Sequence, residues 1–398
     1  MRGHTTRREE REILDLLRES AAETLNYVLQ NISLEKLFGD IDDHLTGPKH
    51  KTELLRLLSR ERVQELAIPT RAGVIDGLQR GHTSSRQAQD QGGNRIGSGR
   101  EERAIRDVFL ATTDLELTEL KNRLDEGADH YDLHHLLHHD LDNPVYRAQI
   151  QLHLREHSAS DGRPRLKALS DIDDTFYVNW KDRRYPSETV YPGVLQFYDE
   201  LDRGPGEPDR MGDLAFLTAR PEERIGWIKD RAHRTLREKG VREATVLAGS
   251  VPSLIDNEAI ARKKFQNFEE YAALYPEYRF VFTGDSGQGD AILGARMVRE
   301  HPDIVQGVFI HDVVGLTPEQ REQMRLEGIE VFDTYVGAGI AAYQKGLIGA
   351  DGLRRVAQAA ERDMAAISFE SPEQREARLR ELTRDLDRMS EVLAPVSA

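Results

Sequence analysis

The sequence predicts an α/β protein: a doubly wound, Rossmann-like parallel sheet with a helical N-terminal domain before it and a helical C-terminal tail after it. Two observations carry this reading. Across residues 161–348 short apolar runs alternate with amphipathic stretches, as when strands are joined by crossover helices. On either side of that block the apolar residues recur at helical spacing, without strand-like runs.

In chain order, residues 1–80 read as helical. Ile13, Leu16, Leu17, Ala21, Leu25, Val28 and Leu29 fall near a 3.6-residue period and predict one amphipathic helix. Leu54-Leu55-Arg56-Leu57-Leu58 predicts another. Gly81 to Gly99 is rich in Gly, Ser, Gln and Asn with almost no apolar side chains, so residues 81–100 are expected to form a linker or mobile loop. Helical character returns over 101–160, interrupted near Gly127 and Asn143-Pro144.

From residue 161 the expected strands are Leu166–Leu169, Leu214–Leu217, Ala244–Ala248, Phe280–Phe282 and Val305–Ile310. The expected helices between them are Gly193–Leu201, Pro221–Lys239, Ala259–Leu274 and Asp290–Glu300. A sheet wound this way binds ligands beyond the carboxyl ends of its strands. The extension over 349–398 reads as helical. Ser371-Pro372-Glu373-Gln374 has the form of a capping box, opening a highly charged last helix that runs to about Leu393.

Composition narrows the function classes. The 398 residues carry a formal net charge of −15, which disfavours a general nucleic-acid binder and loose adsorption to anionic membranes. Cysteine is absent, so disulfides, thiolate metal sites and cysteine nucleophiles are excluded. The first ten residues are polar, unlike a signal peptide, and no apolar run approaches the ~20 residues needed to span a bilayer. A cytoplasmic location is expected, with peripheral membrane contact left open.

Three acidic triplets look alike: Asp40-Ile41-Asp42-Asp43, Asp140-Leu141-Asp142-Asn143 and Asp171-Ile172-Asp173-Asp174. Such acids usually cap helices or face water. Only the third follows a short apolar run and precedes a threonine, Thr175. It also has partners later in the chain: Thr218 after the Leu214–Leu217 strand, Lys264 in the helix before the next strand, and Asp285 and Asp290 within Gly284-Asp285-Ser286-Gly287-Gln288-Gly289-Asp290 after Phe280–Phe282. Acids, a hydroxyl and an ammonium converging on one crevice suit phosphoryl transfer. One carboxylate attacks, another handles the proton, and a hard cation with the lysine neutralises phosphate charge.

This set resembles the haloacid-dehalogenase-like phosphatases, and the spacing between motifs leaves no room for a full cap domain. The resemblance implies Asp171 as nucleophile and Mg²⁺ ligand, and Asp173 as general acid/base with its carbonyl on the metal. It implies Thr218 and Lys264 as phosphate-binding residues, and Asp285 and Asp290 as further metal ligands. From Arg165 to Ile348 a closer likeness holds. Leu169-Ser170-Asp171-Ile172-Asp173-Asp174-Thr175, Tyr191-Pro192-Gly193-Val194 and Phe282-Thr283-Gly284-Asp285-Ser286-Gly287-Gln288 resemble the catalytic domain of actin-patch phosphatidate phosphatases, relatives of lipins. That likeness implies hydrolysis of phosphatidate to diacylglycerol. Thr218-Ala219-Arg220-Pro221 replaces a serine-rich turn and His311-Asp312 replaces Arg-Asp, which puts Arg220 in place to contact a substrate phosphate or head group.

Three other substrate classes keep the same site: a phosphoprotein, a nucleic-acid end and a soluble phosphate ester. A non-catalytic module binding lipid phosphate is the rival from another class, although pure binding does not require both Asp171 and Asp173. The cluster from His130 to His139 invites a metal reading, because His134 and His138 share a helix face, as do His135 and His139. It reads more simply as a polar helix end whose leucines face the core. Trp180 and Tyr185, in the loop after the first motif, are expected to pack.

Overall fold

The computed structural model describes residues 5–43, 47–89, 98–125, 132–159, 165–204, 214–220, 225–241, 244–250 and 257–394. The chain divides into two compact units, one comprising Met1–Gly127, Tyr131–Gly162 and Ala273–Pro276, the other chiefly Arg163–Ala272 and Glu277–Ala398.

The first unit is helical. Its elements are α1 Arg7–Glu19, α2 Ala22–Gln30, α3 Leu34–Asp40, α4 His50–Arg56, α5 Ile68–Gln89, α6 Ser98–Leu110, α7 Asp114–Asp125, α8 Leu133–His135 and α9 Pro144–His157. The single helix expected from Ile13 to Leu29 is two. Ser20 and Ala21 adopt extended backbone, with ψ of 143° and 152°, and each helix turns its own leucines inward. Leu17 and Leu25 are buried, whereas Leu16, counted in the same stripe, is 69% exposed. Helical backbone also continues from Ile68 to Gln89 and resumes at Ser98, so the segment expected as a linker from Gly81 is helical for part of its length. The Arg, Gln and Ala that follow Gly81 and the serines are good helix formers, and one glycine costs only about 1 kcal/mol.

The first two acidic triplets do serve turns and caps. Asp43 accepts from the backbone and hydroxyl of Thr52, and Asn143 caps α9 through the N–H groups of Val145 and Tyr146. Among the clustered histidines, the rings of His134 and His138 stack 4.6 Å apart and those of His135 and His139 lie 5.0 Å apart. Leu133, Leu136 and Leu137 are buried as expected, but so is His134, so this helix end is not polar throughout. His130 lies outside the described residues.

The second unit holds the sheet. Its strands are β1 Arg165–Ser170, β2 Leu214–Arg220, β3 Thr245–Ser250, β4 Tyr278–Asp285, β5 Val305–His311 and β6 Ile329–Phe332. All pair in parallel, in the order β3-β2-β1-β4-β5-β6. Five of these strands are the expected ones. The sixth is an edge strand whose middle residues, Glu330 and Val331, are only half-buried, which hides it from a search for apolar runs.

The helices of this unit are α10 Val194–Arg203, α11 Ile225–Glu238, α12 Asn257–Leu274, α13 Asp290–Glu300, α14 Pro318–Leu326, α15 Tyr335–Gln344, α16 Ala350–Ala366 and α17 Pro372–Val392. The last helix begins where expected, and Ser371 accepts from the N–H of Gln374. The reciprocal half of the capping box is displaced by one residue: the Gln374 side-chain Oε1 accepts from the N–H of Glu370 instead. Leu382 of α17 is buried in the core shared with α15 and α16. Among the described residues no helix is long and apolar enough to cross a membrane.

Chain order reverses between β1 and β4, and at such a switch point the outgoing loops diverge and leave a crevice. Asp171 follows β1 directly and Asp285 ends β4. The backbone N–H of Asp171 donates to the carbonyl of Thr283 at 2.9 Å, which continues the ladder to the edge of that crevice.

Candidate active site

The crevice gathers Asp171, Lys264, Asp285 and Asp290, all buried. The Lys264 ammonium, from the middle of α12, donates to Asp171 Oδ1 at 2.7 Å and to Asp290 Oδ1 at 2.6 Å. Asp290 opens α13, and its second oxygen accepts from the N–H of Asp285 at 3.3 Å. Gly284 makes this approach possible, because a Cβ there would lie 2.6 Å from Asp290 Cβ. Oxygens of Asp171, Asp285 and Asp290 come within 4.8 Å of one another, so the three can share one cation.

Asp173 stands two residues beyond Asp171, and its Oδ1 accepts from the Asn179 amide at 2.7 Å. Thr218 is buried near the end of β2, the strand between β1 and β3, and pairs with Ala248 of β3. Arg220 closes β2, but its side chain lies outside the described residues, as do residues 221–224, where the next helix was expected to begin.

Several residues that shape the site carry no motif of their own. Asp174 has a left-handed backbone, φ 57°, which aspartate tolerates. Its buried carboxylate gathers the N–H groups of Asn179, Trp180, Lys181 and Asp182, at 2.6 Å for Lys181, and so folds the loop that follows the first motif. Tyr335 of α15 donates to the carbonyl of Thr175 at 2.7 Å, and the hydroxyls of Ser170 and Tyr198 lie 2.5 Å apart. Asp182 accepts from Arg184 and from the Tyr191 hydroxyl, and Arg184 in turn reaches His311 Nε2 at 3.0 Å. Of the two aromatics in that loop, Tyr185 is buried as expected while Trp180 is 42% exposed.

Electrostatics mark the crevice as short of positive charge. Burial pushes the Asp171 carboxyl up, Lys264 pulls it back, and the charges of Asp290 and Asp173 raise it again, to about 8. Burial, then Asp290 and Asp171, hold the Asp285 carboxyl well above the ordinary range. Burial works against the Lys264 ammonium, but Asp171 and Asp290 outweigh it and the net shift is upward. One lysine therefore faces three buried acids. Asp285 Oδ2 and the Thr175 hydroxyl are buried with no hydrogen-bond partner. A hard divalent cation fits this donor set: it would supply the missing charge and take up the orphaned carboxylate oxygen.

Buried acids and a lysine at the switch point of a parallel sheet suit the chemistry of a phosphoric monoester hydrolase. Residues 166–312 match the family model of the phosphatidate phosphatase APP1 catalytic domain, in agreement with the lipin-related, haloacid-dehalogenase-like likeness of the motifs. The matched segment is thus a phosphatidate phosphatase-like enzyme domain, and it contains Asp171, Asp173, Thr218, Arg220, Lys264, Asp285 and Asp290, while Tyr335 lies beyond it. No curated protein and no solved structure matches the chain.

Proposed function

We propose that this protein is a Mg²⁺-dependent phosphatase that hydrolyses phosphatidate to diacylglycerol and phosphate through an aspartyl-phosphate on Asp171. The observation that carries it is Lys264 held between Asp171 and Asp290, beside an unpartnered oxygen of Asp285. Asp171, Asp285 and Asp290, with the carbonyl of Asp173, would hold the cation. When bound it offsets the charge of the phosphate and of the acids around it.

Lys264 accounts for one oxygen of Asp171 and leaves Oδ2 without a hydrogen bond among the described residues, available to attack phosphorus. The bond to the lipid oxygen breaks as the bond to Asp171 forms. The Asp173 carboxyl gives its proton to that leaving oxygen, then takes one from the water that attacks the aspartyl-phosphate and releases inorganic phosphate. The amide of Asn179 orients Asp173 for both transfers. Thr218, Arg220 and Lys264 bind the transferring phosphoryl group in this scheme.

The lack of a cap among the described residues supports a large substrate. Among the described residues, the stretch between Thr175 and β2 holds a loop and α10, and that between β2 and α12 holds α11 and β3, with no second sheet that would serve as a cap. The test is an assay of dispersed phosphatidate, an aryl phosphate and phosphopeptides, each with Mg²⁺ or EDTA. Turnover of phosphatidate with Mg²⁺ alone is expected, falling at least about 10³-fold in Asp171→Asn. Undiminished metal-dependent turnover by that variant would sink the mechanism, and activity on soluble esters with none on lipid would sink the substrate.

A further inference from the structure

Two loops beside the acid cluster are built alike. Asp174 gathers the backbone N–H groups of residues 179–182, and Asp312, which follows β5, gathers those of Val314, Gly315 and Leu316, at 2.8 Å for Gly315. Both carboxylates are buried, so each loop is tied from within. Each then displays a large apolar side chain to solvent: Trp180 is 42% exposed and Val314 52%.

The loops meet at Gly287. A Cβ on that residue would lie 3.1 Å from Lys181 Cγ, 3.2 Å from Val314 Cγ1 and 3.1 Å from Asp285 Oδ1. The apolar pair therefore stands at the mouth of the site. The same loop exposes Lys181 and Arg183, and neither head group has a hydrogen-bond or ion-pair partner among the described residues. Two cations without a partner among the described residues thus stand in the loop that exposes Trp180, beside Val314.

A phosphate still attached to its acyl chains can reach a buried carboxylate only if the rim of the site enters the boundary between head groups and chains. Tryptophan and aliphatic side chains favour that boundary, and lysine and arginine favour its anionic face. We propose that Trp180 and Val314 are the prongs by which the catalytic unit enters a lipid surface, with Lys181 and Arg183 on the anionic head groups around the substrate. This rests on the phosphatidate reading above and adds the surface through which it is met.

The chain has two tryptophans, so Trp227→Phe leaves Trp180 as the only one. Phosphatidylcholine vesicles with and without phosphatidate are added in EDTA, which separates binding from turnover. A blue shift of Trp180 emission, with quenching by brominated acyl chains and strongest when phosphatidate is present, is the expected result. Val314→Asp in the otherwise unaltered chain should lower flotation with the same vesicles roughly 10-fold. Unchanged emission and quenching at every vesicle composition, or undiminished flotation of Val314→Asp, overturns the surface. Hydrolysis of soluble esters without a Trp180 response rejects the surface and leaves the chemistry standing. Insertion of Trp180 without hydrolysis of phosphatidate supports the surface while rejecting the substrate.

Discussion

Gly284 and Asp290 are so close that a methyl group on the glycine would lie 2.6 Å from Asp290 Cβ and 2.7 Å from its Oδ2. The glycine is what lets the first residue of α13 fold back onto the end of β4. Gly284→Ala must push Asp290 away from Lys264 and from the N–H of Asp285. Overpacking of this kind costs about 1–3 kcal/mol. We expect that loss in urea denaturation, together with a fall in kcat of about 100-fold or more, because the displaced carboxylate belongs to the crevice itself.

Lys264→Met keeps much of the side-chain volume and removes the ammonium. Asp171 and Asp290, both buried, are then left facing each other with no compensating charge. Breaking a buried ion pair from one side costs about 3–5 kcal/mol. The variant should lose stability on that scale in EDTA and recover part of it when Mg²⁺ is added. No difference between the two conditions would argue against a shared cation site.

Cation binding can be read without any substrate. A ligand at ~100 times its Kd stabilises a protein by about 2.7 kcal/mol, so Mg²⁺ should raise Tm measurably over EDTA. Asp285→Asn should abolish most of that rise. Because burial and its acidic neighbours already hold the Asp285 carboxyl high, the same variant should melt no lower than the parent in EDTA. The pair of melting curves distinguishes a lost ligand from a damaged fold.

His311 supplies a pH signature. Burial, aided by the adjacent Arg184 guanidinium, lowers its imidazole from 6.5 to about 4. A histidine depressed in the folded state binds its proton more readily when unfolded, so between pH 6.5 and 4 the unfolded chain takes up the proton first and stability falls as pH falls. The loss approaches about 3 kcal/mol below pH 4. His311→Asn should flatten that part of the profile in denaturation measured across the window, with the carboxylate contribution unchanged.

Most of the sheet was legible because β1 to β5 contain short apolar runs bounded by polar turns, which few other structures produce. The core of the site was legible for a related reason, since the acids belong to motifs placed at or just after a strand end and the lysine stands in the helix that precedes β4. What stayed hidden depends on contacts distant in sequence. Tyr335 reaches Thr175 across 160 residues, and nothing local in Thr334-Tyr335-Val336 announces it. Asp174 reads as a third acid in a run, and only the folded loop shows that it organises the residues after it. The helix α14 had a usable signal: Thr317-Pro318-Glu319-Gln320 repeats the pattern seen at Ser371, and here the capping box forms completely. The split of the first helix had none, because both halves keep one period across the break at Ser20.

The carboxylate of Asp174 holds its loop through peptide N–H groups, which every residue except proline carries. The shape of that loop is therefore largely independent of which side chains stand at positions 180 and 181. A designer, or natural drift, could exchange those two residues and change the surface the loop presents, while the turn would keep its course beside Asp285. The molecule thus keeps a fixed engine and an editable nameplate, and diversity among related chains should concentrate at those positions before it touches Asp174.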